Sequence, residues 1–198
     1  MQFSLVALLA TISAAAAVPA KAPAPPLSFG MMSLRSASPV HFGTLNAVSQ
    51  KFYIGVEKPT TWCPKSVPRK ECPSGQNTAF TMNAGRLYLN VKVPGGQRVY
   101  IACDRSLSYT QAHSASIPAG SIETGWTLGP KQENSLRAIG HGSDGFYACP
   151  KAKNTAPWKI YVGLPKDKDT PSKKASDCLP FGNYAVEFTS EKYGAWQY

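Results

Sequence analysis

The stretch "SDGFYACPKAKNTAPWKIYVG", Ser143–Gly163, decides the fold class. A turn signal, Ser143-Asp144-Gly145, opens it. An aromatic and apolar run follows and ends at Ala148-Cys149-Pro150. A lysine-bearing loop separates that run from a second, in which Trp158, Ile160 and Val162 recur at every other position. A period of two is the signature of a half-buried strand, because successive side chains point to opposite faces. The same pattern extends outward. Short apolar runs at "LSFGMMSL", "KFYIGV", "AFTMN", "RLYLNVKV", "RVYIAC", "GWTLG", "SLRAIG", "GFYACP", "WKIYVG" and "YAVEFTS" are punctuated by Gly, Pro, Asn, Asp and Ser. Turn signals stand at Asn83-Ala84-Gly85 and Pro94-Gly95-Gly96. No run keeps a helical period for three turns, and only "GTLNAVSQ", Gly43–Gln50, reads as a helical turn.

The fold expected is therefore all-β. The runs that open with Phe29, Phe80 and Trp126 are spaced by roughly 45 to 50 residues, a period at which repeat architectures are considered. Three such units closing on themselves favour a single domain with a β-trefoil-like barrel, and a two-sheet β-sandwich is the alternative.

The chain opens "MQFSLVALLATISAAAAVPAKAPAPP". An apolar run, small residues, then Pro and Lys is the order of a secretory signal peptide over 1–17, with cleavage after Ala17 or Ala20. The run is shorter than the roughly 20 residues a membrane span needs. A proline-rich lead occupies 18–27, and 28–198 forms the domain. About 180 residues suffice for one real core. No lipid-anchor tail is read at the C-terminus, so a secreted, extracellular or wall location is expected, with no membrane partner.

Secretion decides what the five cysteines do, because disulfides persist in an oxidising compartment. Cys149 ends an apolar strand and reads as a staple, with Cys178 available at the far end of a lysine loop. Cys63, Cys72 and Cys103 share a second bridge whose pairing the sequence leaves open, and one thiol is left over. No cysteine pair has zinc-finger spacing and His41, His113 and His141 lie far apart, so neither metal nor cofactor is expected.

The formal net charge of +10 favours anionic partners, with cell-wall polysaccharide or an anionic wall component preferred to nucleic acid. Two long segments carry much of the basicity. Glu57–Gln76 is rich in Pro and Lys, and Leu164–Cys178 holds Lys166, Lys168, Lys173 and Lys174. Both read as surface loops, each ordered by a disulfide to the core. Trp62 and Trp196 lie in polar surroundings and are candidate sugar-stacking residues, together with the four lysines.

Catalytic readings are thin. "GHGSDG" brings His141, Ser143 and Asp144 together, but neighbours on a glycine-rich turn diverge where a triad must converge. A glycosidase needs two facing carboxyls, for which Asp104, Glu123, Glu133, Asp144, Asp177 and Glu187 are the candidates, Glu123 by its proximity to Trp126. No catalytic residue is assigned.

The order "FGMMSLRSASPVHFGTLNAVSQKFYIG", "TAFTMNAGRLYLN", then "GWTL … LRAIGHGSDGFYACP … WKIYVG … SDC" resembles fungal cell-wall proteins of the PhiA type, a group that includes IgE-binding allergens. The last third is distantly similar to the C-terminal domain of PIR cell-wall mannoproteins, without their glutamine-rich repeats. The resemblance implies a non-catalytic, structural or glycan-binding wall protein linked to conidium and phialide development. It also implies a Cys149–Cys178 bridge. A secreted effector acting on a host or competitor is the alternative, and a small hydrolase a further one. The sequence does not fix the oligomeric state.

Overall fold

The computed structural model describes residues 27–188 and 193–198. The signal segment, and all of the proline-rich lead except Leu27, lie outside the described residues.

Twelve strands run through the described residues: β1 (Phe29–Leu34), β2 (Asn46–Val48), β3 (Lys51–Ile54), β4 (Phe80–Asn83), β5 (Arg86–Leu89), β6 (Gln97–Ile101), β7 (Leu107–Tyr109), β8 (Trp126–Leu128), β9 (Leu136–His141), β10 (Phe146–Pro150), β11 (Trp158–Val162) and β12 (Leu179–Glu187). Three single 3₁₀ turns are the only helix among the described residues. The result is an all-β domain built on a large antiparallel sheet.

The opening stretch pairs as its alternation requires. In β10 and β11, Phe146↔Val162, Ala148↔Ile160 and Pro150↔Trp158 share the core face, and Tyr147↔Tyr161 and Cys149↔Lys159 share the other. Strand order runs β1-β4-β5-β6-β7-β3-β11-β10-β12. It then returns on itself, because β12 also pairs β1 from Phe29↔Glu187 to Leu34↔Gly182. The nine-residue β12 makes this closure by giving Leu179–Phe181 to β10 and its later residues to β1 and β9.

Phe29, Phe80 and Trp126 are all buried, so the recurrent aromatic openings feed one core. Phe29 stacks on Phe80 at 6.2 Å, and Phe80, Phe52 and Tyr109 continue the line. Trp126, Phe146 and Phe181 form a second line. Offset and edge contacts of this kind add to the burial energy of the rings.

Two expectations are corrected. "GTLNAVSQ" is not helical: Asn46–Val48 is a strand that pairs β3 through a two-residue turn at Ser49-Gln50, both with positive φ. Two left-handed residues make the tight hairpin turn that glycine normally signals, and here neither is glycine. The loop 57–76 is not tied to the core by a disulfide either, because Cys63 pairs with Cys72 inside it. Backbone bonds dock the loop instead, from Thr60 N to Ala47 O at 3.0 Å and from Gly75 N to Gly194 O at 3.0 Å.

Candidate ligand-binding face

On the sheet face opposite the main core, β3, β7 and β11 bring together a hydrogen-bonded group of polar side chains. Alternation puts Phe52 and Ile54 in the main core and turns Lys51 and Tyr53 to the opposite face; beside Ile160 it turns Lys159 and Tyr161 the same way, where Tyr161 is buried with Cys149 and Cys178. The Lys51 ammonium donates to Ser108 Oγ at 2.7 Å and to Ser106 Oγ at 3.0 Å. Ser106 in turn donates its hydroxyl to Asp104 Oδ1 at 2.5 Å and its amide at 3.0 Å. Lys159 lies 3.5 Å from Asp104 Oδ2 and 5.0 Å from the centre of the Tyr161 ring.

These contacts set the charges. Burial, then the neighbouring Lys159, lowers the Lys51 pKa from the usual lysine value. Burial alone would raise Asp104, but the Ser106 bonds and the two lysines hold it below its usual value. Burial pushes the Tyr161 hydroxyl up, and it donates to the Asp169 carbonyl at 2.8 Å. A lysine on a serine is the pairing of a Ser–Lys nucleophile. Ser106 and Ser108 are both 0% exposed, so neither hydroxyl is open to a substrate carbonyl.

Next to this network, a cleft of about 490 Å³ opens between the β6–β7 turn and the β11–β12 loop. Cys103, Asp104 and Arg105 form one wall, and Leu164, Lys166, Lys168 and Asp169 the other. Arg105 packs against Gly163, where a Cβ would overlap the guanidinium, and donates to Asp144 Oδ1 at 2.6 Å. Tyr161 and the Cys149–Cys178 disulfide hold the loop's base. Inside the loop, Asp167 accepts from Ala175 N at 2.6 Å and Lys173 donates to the Lys168 carbonyl at 2.8 Å.

Of the candidate ligand residues, Lys166 and Lys168 thus line one cleft, and Lys173 and Lys174 are exposed farther along the same loop. Trp62 and Trp196 belong to a different region. Trp62 is 55% exposed and its backbone pairs with Gln197, the residue after the half-buried Trp196. Cys103 carries a free, exposed thiol whose Sγ lies 2.9 Å from the Ala119 carbonyl.

Of the catalytic candidates, Asp104 belongs to this network, and His141, Glu123 and Glu187 are engaged elsewhere. His141 faces the Thr124 carbonyl through Nε2 at 2.9 Å and Asp144 through Nδ1 at 3.3 Å, so both ring nitrogens meet protein acceptors. Glu123 is paired with Arg98 at 2.7 Å and Glu187 with Lys131 at 3.0 Å. Among the described residues no group of three or more His, Cys, Asp or Glu is placed to hold a metal ion, and no helix is long and apolar enough to cross a membrane.

The family model described as PhiA-like secreted protein matches residues 29–198. The chain belongs to that family. The chain is 32% identical over 156 residues to an uncharacterized secreted protein of Arthroderma benhamiae, covering 78% of this chain and 76% of the relative. It is 30% identical over 162 residues to the cell wall protein phiA of Emericella nidulans, covering 79% of each. The corresponding protein of Aspergillus niger is 27% identical over 161 residues, covering 78% of this chain and 79% of the relative. No solved structure matches the chain. As a PhiA-like protein, the chain is a member of a secreted family.

Proposed function

We propose that this PhiA-like protein is a non-catalytic component of the fungal cell wall that holds acidic wall glycan in the cleft between the β6–β7 turn and the lysine loop. One observation carries the reading: Lys166 and Lys168, on the loop, converge with Arg105, on the opposite wall, around about 490 Å³ of open space. Arg105 is paired with Asp144, and of the two acids that line the cleft, Asp104 and Asp169, Asp104 is already engaged by Ser106 and Lys159. The relatives named cell wall proteins and the net charge of +10 support the same partner class, a polymer bearing carboxylate or phosphate. The buried Ser106 and Ser108 and the inward-facing His141 nitrogens favour retention over turnover. We also read the strand circuit closed by β1 and β12 as barrel-like, which is the architecture the recurrent Phe29, Phe80 and Trp126 favour.

Sedimentation with isolated fungal walls, insoluble β-glucan, chitin and mannan tests the reading across a salt series, with supernatants assayed for released sugar. Saturable retention on isolated walls that weakens with salt and releases no sugar is expected, since exposed charges are screened within about 10 Å at 0.1 M salt. Failure to sediment with walls, or release of sugar, would sink it.

A further inference from the structure

The loop Glu57–Gln76 has no strand longer than a single bridge and one 3₁₀ turn, Arg69–Glu71, yet backbone bonds from Thr60, Trp62 and Gly75 dock both of its arms. Loops of this length are uncommon in compact domains unless they serve a function. Its two arms meet closely: a Cβ at Gly75, which has φ +68°, would come within 2.6 Å of Thr61 Oγ1. The Cys63–Cys72 disulfide closes the arms at the far end, and the paired Trp62 and Gln197 backbones hold one arm to the C-terminal tail.

Two clefts lie along this loop and share Gln76. One, of about 270 Å³, runs against the domain beside Thr44, Asn77 and Trp158. The other, of about 410 Å³, is walled by Thr60, Thr61 and Ser74. The only charged residues lining either are Glu57 and Lys58, adjacent in sequence and opposite in sign. Hydroxyls and amides that both donate and accept hydrogen bonds make up the remaining polar lining, the complement of sugar hydroxyls. The chain continues from Thr61, which lines the second cleft, into the exposed Trp62, a flat apolar ring one residue beyond that lining. Asn46 fixes the floor by donating to the Val56 carbonyl at 3.1 Å and accepting from Thr78 at 3.5 Å.

We infer that this double cleft is a second binding site, for a segment of an uncharged, unbranched hexopyranose chain. It goes beyond the acidic-glycan reading, because its lining is neutral and it uses none of the lysine-loop cations. A protein with both sites tethers two chemically different wall polymers.

The test is calorimetric titration of the full mature protein with a β-1,3-glucan hexasaccharide and, separately, a chitin hexasaccharide, at about 0.5 M salt to screen exposed charges. Saturable binding of either is expected, with the two arms telling the sources apart. Gln76→Ala combined with Asn77→Ala, both at exposed positions, should weaken it at least about tenfold with an unchanged circular dichroism spectrum. Lys166→Ala with Lys168→Ala should leave it unchanged, so loss of wall retention in that variant and loss of hexasaccharide binding in the other are independent results. No saturable binding of either sugar, binding abolished by salt, or full binding by the Gln76/Asn77 variant would overturn the inference.

Discussion

The Arg105 guanidinium donates to the Asp144 carboxylate across 2.6 Å, tying the β6–β7 turn to the β9–β10 hairpin over the backbone of Gly163. Gly163 sits at φ +79°, where an L-residue costs about 1–2 kcal/mol, and any Cβ there overlaps Arg105. Gly163→Ala should therefore cost more than the backbone penalty alone. In an Arg105→Ala background only that penalty should remain, giving a coupling of about 1 kcal/mol in a urea-denaturation double-mutant cycle. Equal costs of Gly163→Ala in both backgrounds would refute the packing account.

The two disulfides do different work. Cys149–Cys178 closes a separation of 29 residues and is buried against Tyr161; Cys63–Cys72 closes 9 and stays within its loop. The loop-entropy model gives about 3.6 kcal/mol for the first and about 2.6 kcal/mol for the second. Paired Cys→Ala changes at 149 and 178 should lower the stability of the whole domain, with an additional cost for the buried sulfurs removed. Paired changes at 63 and 72 should cost less and weaken hexasaccharide binding, because the docked loop loosens. Native protein should titrate one reactive thiol per chain, that of Cys103. A larger global loss from the 63/72 pair than from the 149/178 pair would contradict this assignment.

Much of the β-core was legible in the sequence, because alternation and turn residues report the same physics that builds it. Each of the ten expected runs overlaps a strand, with Thr189 and Ser190 of the last run lying outside the described residues. What escaped was written without punctuation. β7 follows a turn that places Arg105, rather than glycine, at φ +68°; β2 precedes a turn built from Ser49 and Gln50; the first half of β12 is masked by Pro180 and Gly182. The polar face escaped for another reason. Lys51, Asp104, Ser106, Ser108 and Lys159 converge only through the pairings of β3 with β7 and β11, which no local window contains. One signal was available: "KFYI" and "WKIYV" both place Lys and Tyr on the face opposite their core residues.

Position along the lysine loop should decide which lysines matter. Lys166 and Lys168 line the cleft, whereas Lys173 donates to the Lys168 carbonyl and Lys174 is exposed beyond it. Removing either pair changes the net charge equally. Lys166→Ala with Lys168→Ala should reduce retention on isolated walls at low salt by about tenfold, and Lys173→Ala with Lys174→Ala by markedly less. Equal losses would show that retention follows overall charge and not the cleft.

Asp104 and Lys51 give the protein opposite pH responses. Asp104 is held below its ordinary pKa of 3.8, so the unfolded chain takes up the proton first as pH falls. The stability this carboxylate contributes is present above about pH 4 and is lost as pH drops through its folded value. Lys51 is held below 10.5, so the native state loses its proton first, and stability rises with pH between the folded Lys51 value and 10.5. Above about pH 10 the buried tyrosines oppose that rise. Tyr109, pushed by burial to about 12, keeps its proton in the native state when the unfolded chain has lost it. Asp104→Asn preserves an acceptor for Ser106 and should flatten the acid limb of the urea midpoint measured from about pH 2 to 6. Lys51→Met should remove the alkaline rise and leave the tyrosine-driven fall. An Asp104→Asn profile parallel to that of the parent below pH 4 would show that the carboxylate's partners do not hold its charge in place.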